Sequence, residues 1–399
     1  MSEPTSSRND APKIYGWCPG ALRPMMSGDG LVVRIRPPFA RLSADQARAV
    51  ADLSLRFGNG MLDMSSRANL QMRGIRPEDH LRLIAELRAL GLVDRDSASE
   101  SRRNILLTPF WTAGDRSHRI ADDLSARLAA AADLTLPGKF GFAVDTDKEP
   151  MLRETSADIR IERHGDNLIV RADGSRTALI VPEDRAAEAA VALARWFLTQ
   201  GGAPGGRGRM HHLIARREPP SSHDATVAYS PVPPGSTARP GPGRIAIGTL
   251  VALEFGQISA RTLATLAETG HAMRLTPWRM LLVEGTASLG PLPGLILDAT
   301  DPRLQVIACT GAPGCLQAHA STRALARDLA PHLPPGTQLH VSGCTKGCAH
   351  PKPSDVTLVA TGRDRFDLIR NGRADASPAL TSLSAAALRA APDVLTKDR

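Results

Sequence analysis

The sequence is poor in cysteine, in aromatic residues and in long apolar segments. Five cysteines in 399 residues, with Cys18 far upstream of the other four, do not suit a disulfide framework. Aromatic residues make up only 4% of the chain, so platforms for stacking nucleic-acid bases are scarce. No apolar run has membrane-spanning length. We therefore expect a cytoplasmic protein with neither a membrane nor a nucleic-acid partner.

A dinucleotide-binding fingerprint is also missing. The glycines of 201–208 lie in a stretch with the composition of a loop, and not between a strand and a helix. A nicotinamide or flavin site within the chain is therefore not expected. The formal net charge is +8, which indicates an anionic partner. Because aromatic residues are scarce, a small polyanionic ligand is the interpretation we favour.

Four cysteines form two pairs near the C-terminus, Cys309-x5-Cys315 and Cys344-x3-Cys348. Each pair follows a predicted strand, so two strand-end loops can converge on one site. Their glycines let the backbone wrap around a bulky ligand, and a helix predicted from about 316 to 329 would place its N-terminus beside the first pair. Four thiolates in this grouping favour a [4Fe-4S] cluster. A zinc ion, which prefers shorter spacing, and unligated core thiols remain alternatives.

Two segments of the chain share one pattern. In the first, 43–72, a serine-capped helix ends at a glycine and a strand follows. The second, 259–282, repeats this order. Arg67 and Arg279 fall at equivalent places in the two segments. The repeat predicts a duplicated strand-helix-strand unit.

The chain resembles the sirohaem-dependent sulfite and nitrite reductases from about residue 18 to 369. The cysteine spacing is similar to their cluster signature, and Ser-Arg-Ala-Asn-Leu-Gln-Met-Arg-Gly at 66–74 is similar to their tetrapyrrole-binding segment. Arg34, Arg103 and Lys139 match three of the four anion-binding positions of that family.

Departures from the reductases point to one branch of the family. Gly141 stands at the fourth position, where the reductases have lysine or asparagine, and Cys-Thr-Lys-Gly-Cys at 344–348 replaces Cys-Pro-Asn-x-Cys. Trp-Cys-Pro-Gly at 17–20, Ser-Gly-Asp-Gly at 27–30 and Thr-Pro-Trp-Arg at 276–279 resemble the precorrin-3B synthases of aerobic cobalamin biosynthesis.

The resemblance implies an α+β fold of the sulfite and nitrite reductase type, with duplicated ferredoxin-like halves and mixed α/β domains. Between the repeats the pattern predicts helices over 77–90 and 183–199 and a hairpin over 158–172. The expected division is a disordered tail 1–12, a first half 13–97, an α/β domain 98–200, a Pro/Gly-rich linker 201–243, a second half 244–303 and a second α/β domain 304–399 that carries the cluster.

The implied activity is that of a monooxygenase. It would hydroxylate C20 of precorrin-3A with dioxygen and an external electron donor, while the ring A acetate closes a lactone. The tetrapyrrole would be substrate instead of prosthetic group. Side chains that pair with its carboxylates are expected from the matched segments: Arg34, Arg67, Asn69, Gln71 and Arg73. Lys139 and Arg103 are expected at the reacting centre, where a cation can stabilise a developing oxygen anion.

Oxygen chemistry usually needs an iron that binds dioxygen, so a mononuclear non-haem iron is a further hypothesis. Its candidate ligands are His211, His212, His340 and His350, although adjacent histidines on a strand point to opposite faces. Two other functions stay open. One is a sirohaem-dependent nitrite or sulfite reductase with sirohaem as cofactor, and the other is a non-catalytic tetrapyrrole-binding iron-sulfur protein.

Overall fold

The computed structural model describes residues 19–220, 226–229, 239–286 and 288–397. The predicted tail 1–12 and Cys18 lie outside these ranges. Contacts divide the described chain into two units. We call 19–25 with 31–297 the large unit, and 26–30 with 298–397 the cysteine unit.

Secondary structure alternates between helices and strands along most of the described chain. The helices are α1 Ala44–Phe57, α2 His80–Ala89, α3 Ser97–Arg102, α4 Arg116–Ala130, α5 Glu183–Thr199, α6 Met210–Ile214, α7 Ala260–Glu268, α8 Arg323–Leu329 and α9 Ala385–Ala390. The strands are β1 Met25–Ser27, β2 Gly30–Ile35, β3 Arg41–Leu42, β4 Met61–Met64, β5 Leu70–Ile75, β6 Ile105–Leu107, β7 Phe142–Asp145, β8 Ile159–His164, β9 Asn167–Ala172, β10 Thr177–Ile180, β11 Thr226–Ala228, β12 Gly243–Ile245, β13 Gly248–Leu253, β14 Gln257–Ser259, β15 Met273–Leu275, β16 Met280–Glu284, β17 Leu295–Ile296, β18 Val306–Ala308, β19 Leu339–Ser342, β20 Ser354–Gly362, β21 Arg365–Gly372 and β22 Leu380–Ser384.

Two sheets of the large unit exchange strands between the repeats. In the first, β2, β5 and β4 come from the first repeat, and β14 of the second repeat pairs with β4. In the second, β13, β16 and β15 come from the second repeat, and β3 of the first pairs with β15. Helices α1 and α7 pack against each other. Both helices begin at serine caps: the Ser43 hydroxyl accepts a hydrogen bond from the Gln46 N–H at 3.1 Å, and Ser259 caps Thr262 in the same way.

A third sheet of the large unit has the order β11-β10-β9-β8-β7-β6. Helices α4 and α5 pack together on one face, over a core that includes Phe140, Phe142 and Phe197. Helix α6 and strand β11 lie inside the stretch predicted to be a linker, 201–243. That stretch is therefore partly built into the fold, because β11 pairs with β10 along the sheet edge.

The cysteine unit contains one sheet with the order β18-β19-β20-β21-β22. Strands β18, β19 and β20 are parallel, and β21 and β22 continue the sheet in antiparallel fashion. Parallel strands place their carboxyl ends at one edge. The two cysteine loops follow β18 and β19, so both leave this sheet at that edge.

The predicted fold class is confirmed, and so are most of the predicted elements. Helix α5 spans the predicted residues, and β8 and β9 form the predicted hairpin. The helix predicted from about 316 begins later, at Arg323, because the residues just before it form hydrogen bonds with the two cysteine loops. Strands β12 and β13 form a hairpin ahead of the second repeat. The six-part domain division stays a prediction.

Within the described ranges, no helix combines the length and the apolar character needed to cross a membrane.

Candidate functional site

The two cysteine loops of the cysteine unit meet, as the sequence predicted. Cys309 follows β18, and the N–H of Gly343, which follows β19, donates to its Sγ at 3.1 Å. A Cβ added to Gly343 would lie 3.4 Å from the same sulfur and 2.6 Å from Ala318. The Thr322 hydroxyl donates to the Cys309 carbonyl at 2.7 Å. Glycine at 343 thus allows one loop to approach the sulfur of the other.

The four thiols lie close enough to influence one another. Burial raises the pKa of the Cys344 thiol, the Lys346 N–H and ammonium lower it, and the charges of Cys315 and Cys309 raise it further. Partial desolvation also raises the pKa of Cys348, although that residue is exposed at the surface, and the other three thiols add to the effect. Such a group of thiols loses its protons most readily to a bound metal.

A [4Fe-4S] cluster takes four thiolate ligands, and these four thiols influence one another's pKa. Across the part of the chain that the structure describes, no three His, Cys, Asp or Glu side chains form a group suited to a single metal ion. The role of Cys309, Cys315, Cys344 and Cys348 as cluster ligands stays a prediction.

A turn at 27–28 holds the first cysteine loop within the cysteine unit. The Ser27 hydroxyl donates to the Gly314 carbonyl at 2.6 Å, and the Gly28 N–H donates to the same carbonyl at 3.3 Å. A Cβ at Gly28 would lie 2.0 Å from the Pro313 carbonyl oxygen. Only glycine allows this approach, so the Ser-Gly motif noted in the sequence has a structural reason next to Cys315.

The candidate iron-binding histidines form two pairs in different units. His211 and His212 lie on helix α6 and not on a strand, so the predicted opposite orientation is wrong: their rings are 4.2 Å apart. In the cysteine unit, the buried His340 ring of β19 lies 5.7 Å from that of His350. Iron binding by either pair stays a hypothesis.

Four polar side chains form a row across the first sheet of the large unit. Cross-strand pairing places Arg34, Gln71, Asp63 and Gln257 side by side on neighbouring strands. Arg34 donates to the Gln71 side-chain oxygen at 2.8 Å, and Gln257 donates to Asp63 at 3.0 Å. The Arg34 Nε is buried and has no hydrogen-bond partner among the described residues. This face can therefore donate a further hydrogen bond to a ligand.

Arg73, another predicted rim residue, is paired inside the same sheet. Its guanidinium lies 3.1 Å from the Asp63 carboxylate, and both side chains are buried. The second repeat has the reverse pair at the corresponding positions, with Arg274 2.6 Å from Glu284. Both repeats keep an ion pair here, with the acidic and basic positions exchanged, which indicates a role in stabilising the fold. Contact of Arg73 with a ligand stays a prediction without geometric support.

The hydrogen bonds of the two repeats correct the alignment of Arg67. Each repeat has a tight turn in which a hydroxyl accepts hydrogen bonds from the N–H groups two and four positions later. The residue with positive φ in this turn is Ala68 in the first repeat and Arg279 in the second. Arg67 therefore corresponds to Trp278. The predicted equivalence of Arg67 with Arg279 is wrong by one position.

The row of polar side chains in the first repeat is only partly kept in the second. Leu250 and Leu282 occupy the places of Arg34 and Gln71 and belong to a buried cluster. The Trp278 ring stacks on Phe110 with centroids 5.9 Å apart. Arg274 and Arg41 occupy the places of Asp63 and Gln257, and both are paired with Glu284. The second repeat therefore keeps neither of the polar groups that Arg34 and Gln71 supply in the first.

Arg67 contacts the backbone of Lys139, and Asn69 lies in the same tight turn as Arg67. The Arg67 guanidinium donates to the Ser156 hydroxyl at 2.9 Å and to the Lys139 carbonyl at 3.3 Å. Asn69 is buried, and its amide nitrogen has no hydrogen-bond partner among the described residues. Lys139 is exposed, on a turn closed by a 2.7 Å hydrogen bond from the Phe140 N–H to the Pro137 carbonyl.

Arg103, the other predicted catalytic residue, is held by protein groups. It donates twice to the Asp94 carboxylate, at 2.7 and 2.9 Å, and once to the Arg36 carbonyl at 2.9 Å. A bidentate pair of this kind fixes the guanidinium plane. This geometry indicates that Arg103 positions the strand end at Arg36. Direct contact with substrate stays a prediction.

Gly141 has no room for a side chain. A Cβ there would lie 2.5 Å from the Asn104 amide nitrogen, which donates to the Phe140 carbonyl at 2.8 Å. The Gly141 N–H donates to the buried Asp158 carboxylate at 3.0 Å. A lysine or asparagine at 141 would therefore require Asn104 to move.

The large unit also contains a basic cavity of about 750 Å³ that the sequence did not reveal. Glu100 is the lining carboxylate, and Lys139 and His212 are lining residues that the sequence analysis singled out. The cationic lining residues are Arg23, Arg36, Lys139, Arg207, Arg209 and Arg216. The dense basic run over 207–217 was a sequence signal for this site, but it lies in the stretch interpreted as a linker.

Comparison with known proteins agrees with this geometry. Residues 23–90 match the family model described as the nitrite/sulfite reductase ferredoxin-like half domain. A precorrin-3B synthase from Sinorhizobium sp is 31% identical over 394 residues, which cover 91% of this chain and 84% of that protein. The chain belongs to the precorrin-3B synthase family.

The precorrin-3B synthase family is a divergent branch of the nitrite and sulfite reductases, as the sequence predicted. A ferredoxin-nitrite reductase from Leptolyngbya laminosa is 26% identical, with coverage of 86% of this chain and 79% of that protein. The NirA protein of Mycobacterium tuberculosis shares the fold, with a TM-score of 0.63 at 18% identity over 91% of this chain and 79% of that one.

Proposed function

We propose that this protein converts precorrin-3A to precorrin-3B in aerobic cobalamin biosynthesis, by hydroxylating C20 while the ring A acetate forms a lactone. One atom of dioxygen enters the product and the other leaves as water. Two electrons and two protons come from an external donor. Membership of the precorrin-3B synthase family supports this proposal.

The structural observation that carries the proposal is the packing at Gly141. In the related anion reductases, a side chain at this position contacts sulfite or nitrite. Here the Asn104 amide nitrogen fills the space, 2.5 Å from the position that a Cβ on residue 141 would take. The loss of that group favours a neutral reacting partner, dioxygen, over an oxyanion.

The large unit supplies groups suited to the substrate rim. Arg34 and Asn69 each have a buried nitrogen without a hydrogen-bond partner among the described residues. Gln71 is held in place by Arg34. Charged and polar donors in such positions can pair with acetate and propionate carboxylates. We assign Arg34, Arg67, Asn69 and Gln71 to substrate binding and Lys139 to stabilisation of a developing oxygen anion.

The cysteine unit supplies the redox site in this proposal. Cys309, Cys315, Cys344 and Cys348 would hold a [4Fe-4S] cluster, which supplies one-electron transfer when bound. The Gly343 N–H that donates to the Cys309 sulfur would remain as a hydrogen bond to a cluster ligand, and such bonds tune the reduction potential of iron-sulfur clusters.

The proposal is tested by incubating the reconstituted protein with precorrin-3A, a chemical reductant and oxygen-18 dioxygen. We expect a product heavier by one labelled oxygen atom, formed only when dioxygen is present. The same preparation should reduce neither nitrite nor sulfite. Labelled oxygen absent from the product, or anion turnover in its place, would overturn the proposal and favour the sirohaem reductase alternative.

Two variants test the role of Gly141 independently of the resemblance to the family. Gly141→Lys restores the side chain type of the anion reductases but should not create anion reduction, because Asn104 blocks its entry. The double variant Gly141→Lys with Asn104→Gly opens that space and is the matched comparison. Folding of both variants is followed by circular dichroism.

A further inference from the structure

We propose that Ser156 is a positioning residue, which orients the Arg67 guanidinium toward the tetrapyrrole substrate. This inference rests on the proposed function, because Arg67 is assigned there to substrate binding. Ser156 lies between β7 and β8, in the stretch 146–158 that we call the β7–β8 segment. Its hydroxyl accepts a hydrogen bond from the Arg67 Nη2 at 2.9 Å. The motifs in the sequence did not reveal this residue.

A second guanidinium donates to the same hydroxyl. The Arg209 Nη2 lies 3.2 Å from the Ser156 oxygen, so both acceptor sites of that oxygen are used. Arg209 is also held by the Asp158 carboxylate, with its Nε 2.9 and 3.1 Å from the two oxygens. Loss of the Ser156 hydroxyl therefore leaves Arg209 anchored, and its effect on a ligand should act through Arg67.

The Ser156 hydroxyl is a neutral acceptor, which matters for an arginine that binds a carboxylate. Arg73 and Arg103 are held by carboxylates of the protein, at 3.1 and 2.7 Å. Ser156 and the Lys139 carbonyl accept hydrogen bonds from Arg67 without adding a negative charge. A hydroxyl thus fixes the direction of a guanidinium and, unlike a carboxylate, does not compete with a ligand carboxylate for its charge.

Buried charged residues hold the β7–β8 segment. The Asp145 carboxylate accepts hydrogen bonds from two successive backbone N–H groups at 2.7 and 2.9 Å, the second of them that of Leu152. The Arg160 guanidinium donates to the Leu152 carbonyl at 2.7 Å and also to the Thr155 carbonyl. Asp145 and Arg160 are only 2% and 3% exposed. Both anchors fix the backbone that leads to Ser156.

The end of the β7–β8 segment is fixed next to the start of β7. The Asp158 N–H donates to the Gly141 carbonyl at 2.7 Å, and the Asp158 carboxylate accepts from the Gly141 N–H at 3.0 Å. The Met210 N–H donates to the same carboxylate at 2.8 Å. Ser156 is therefore anchored on both sides along the chain. An acceptor on a fixed backbone can hold a binding group in one direction before the ligand arrives.

The test is a double-mutant cycle on the full protein, with uroporphyrin III as the probe. This metal-free porphyrin carries acetate and propionate groups, and its fluorescence reports binding without turnover. In Ser156→Ala we expect its dissociation constant to rise about fivefold, a coupling typical of residues in contact. In the Arg67→Gln background, Ser156→Ala should cause no further loss, because the residue that it positions is gone.

Two controls separate positioning from stability. Ser156→Thr keeps the hydroxyl and should bind uroporphyrin as wild type does. Ser99→Ala removes a hydroxyl of the same kind on helix α3, one that accepts a hydrogen bond from Arg102 at 3.4 Å. It should leave the porphyrin affinity unchanged. Denaturant titration of every variant shows whether a loss of affinity merely follows a loss of stability.

Three results would overturn the inference. Additive losses in the cycle would show that Ser156 does not act through Arg67. An unchanged or lower dissociation constant in Ser156→Ala would show that the hydroxyl only occupies Arg67 until a ligand binds. An unchanged affinity in Arg67→Gln would show that Arg67 does not bind the macrocycle.

Turnover separates this inference from the proposed function. In Ser156→Ala, a raised KM for precorrin-3A with little change in kcat supports both, because the hydroxyl acts on binding and not on the reacting atoms. If wild type makes no precorrin-3B but the cycle shows the coupling, only the proposed function fails. If wild type makes precorrin-3B and the cycle shows no coupling, only this inference fails.

Discussion

The contact between Gly28 and the first cysteine loop leads to a sharp prediction for Gly28→Ala. The added Cβ would lie 2.0 Å from the Pro313 carbonyl oxygen and 3.1 Å from the carbonyl carbon. Ordinary contact is at about 3.5 Å, so backbone must move by about 1.5 Å. Overpacking of this kind usually costs about 1 to 3 kcal/mol. The displaced segment adjoins Cys315, so the cluster site should be disturbed as well.

Two assays measure the effect in the reconstituted protein. We expect a lower unfolding free energy and less iron and acid-labile sulfide per chain, or a shifted cluster reduction potential. Ser27→Ala removes the 2.6 Å hydrogen bond to Gly314 and should cost about 1 kcal/mol. Gly290→Ala is the control, because no atom of the described residues lies within 4 Å of its added Cβ. If Gly28→Ala matched this control in stability, iron content and potential, the argument from close approach would be refuted.

Three further predictions concern the same units. Cys344→Ser should lose most of the iron and sulfide while Cys18→Ser keeps them, as chemical analysis would show; full retention in Cys344→Ser would remove the cluster assignment. Burial raises the pKa of Asp145 to about 7, so the folded state keeps a proton that the unfolded state loses. The stabilisation from the protonated Asp145 carboxyl is complete below about pH 4 and is lost as the pH rises to 7. Over this range the free energy of unfolding, measured by denaturant titration, should fall by up to about 1.4 kcal/mol per pH unit. Asp145→Asn should flatten this slope. Asp63→Ala leaves Arg73 buried without its carboxylate and should cost about 3 to 5 kcal/mol, whereas a cost under about 1 kcal/mol would show that Arg73 turns toward solvent or ligand.

The comparison of the two repeats limits where a ligand can bind in the large unit. Both repeats keep the tight turn and an ion pair, but Leu250 and Leu282 stand at the places of Arg34 and Gln71 in the second. Duplication supplied two equivalent faces, and the polar pair formed by Arg34 and Gln71 is present on only one of them. Variants at Leu250 or Leu282 are therefore expected to affect stability and not substrate affinity.

Local sequence signals alone determined the positions of several helices and of the cysteine site. Serine caps and glycine stops place α1 and α7, the apolar period places α5, and the cysteine spacing predicts that two loops share one site. These features depend on neighbours a few residues apart, which is why a sequence pattern can predict them.

Tertiary structure alone decided which charged residues face a ligand. Arg73 and Arg103 stand in motifs shared with the reductases, yet carboxylates of the protein hold both. Arg36 and the 207–216 segment line the basic cavity because distant parts of the chain meet there. Which partner an arginine finds depends on the distance to every other charge, and that distance is set by long-range packing. The spacing of residues along the sequence does not reveal these distances.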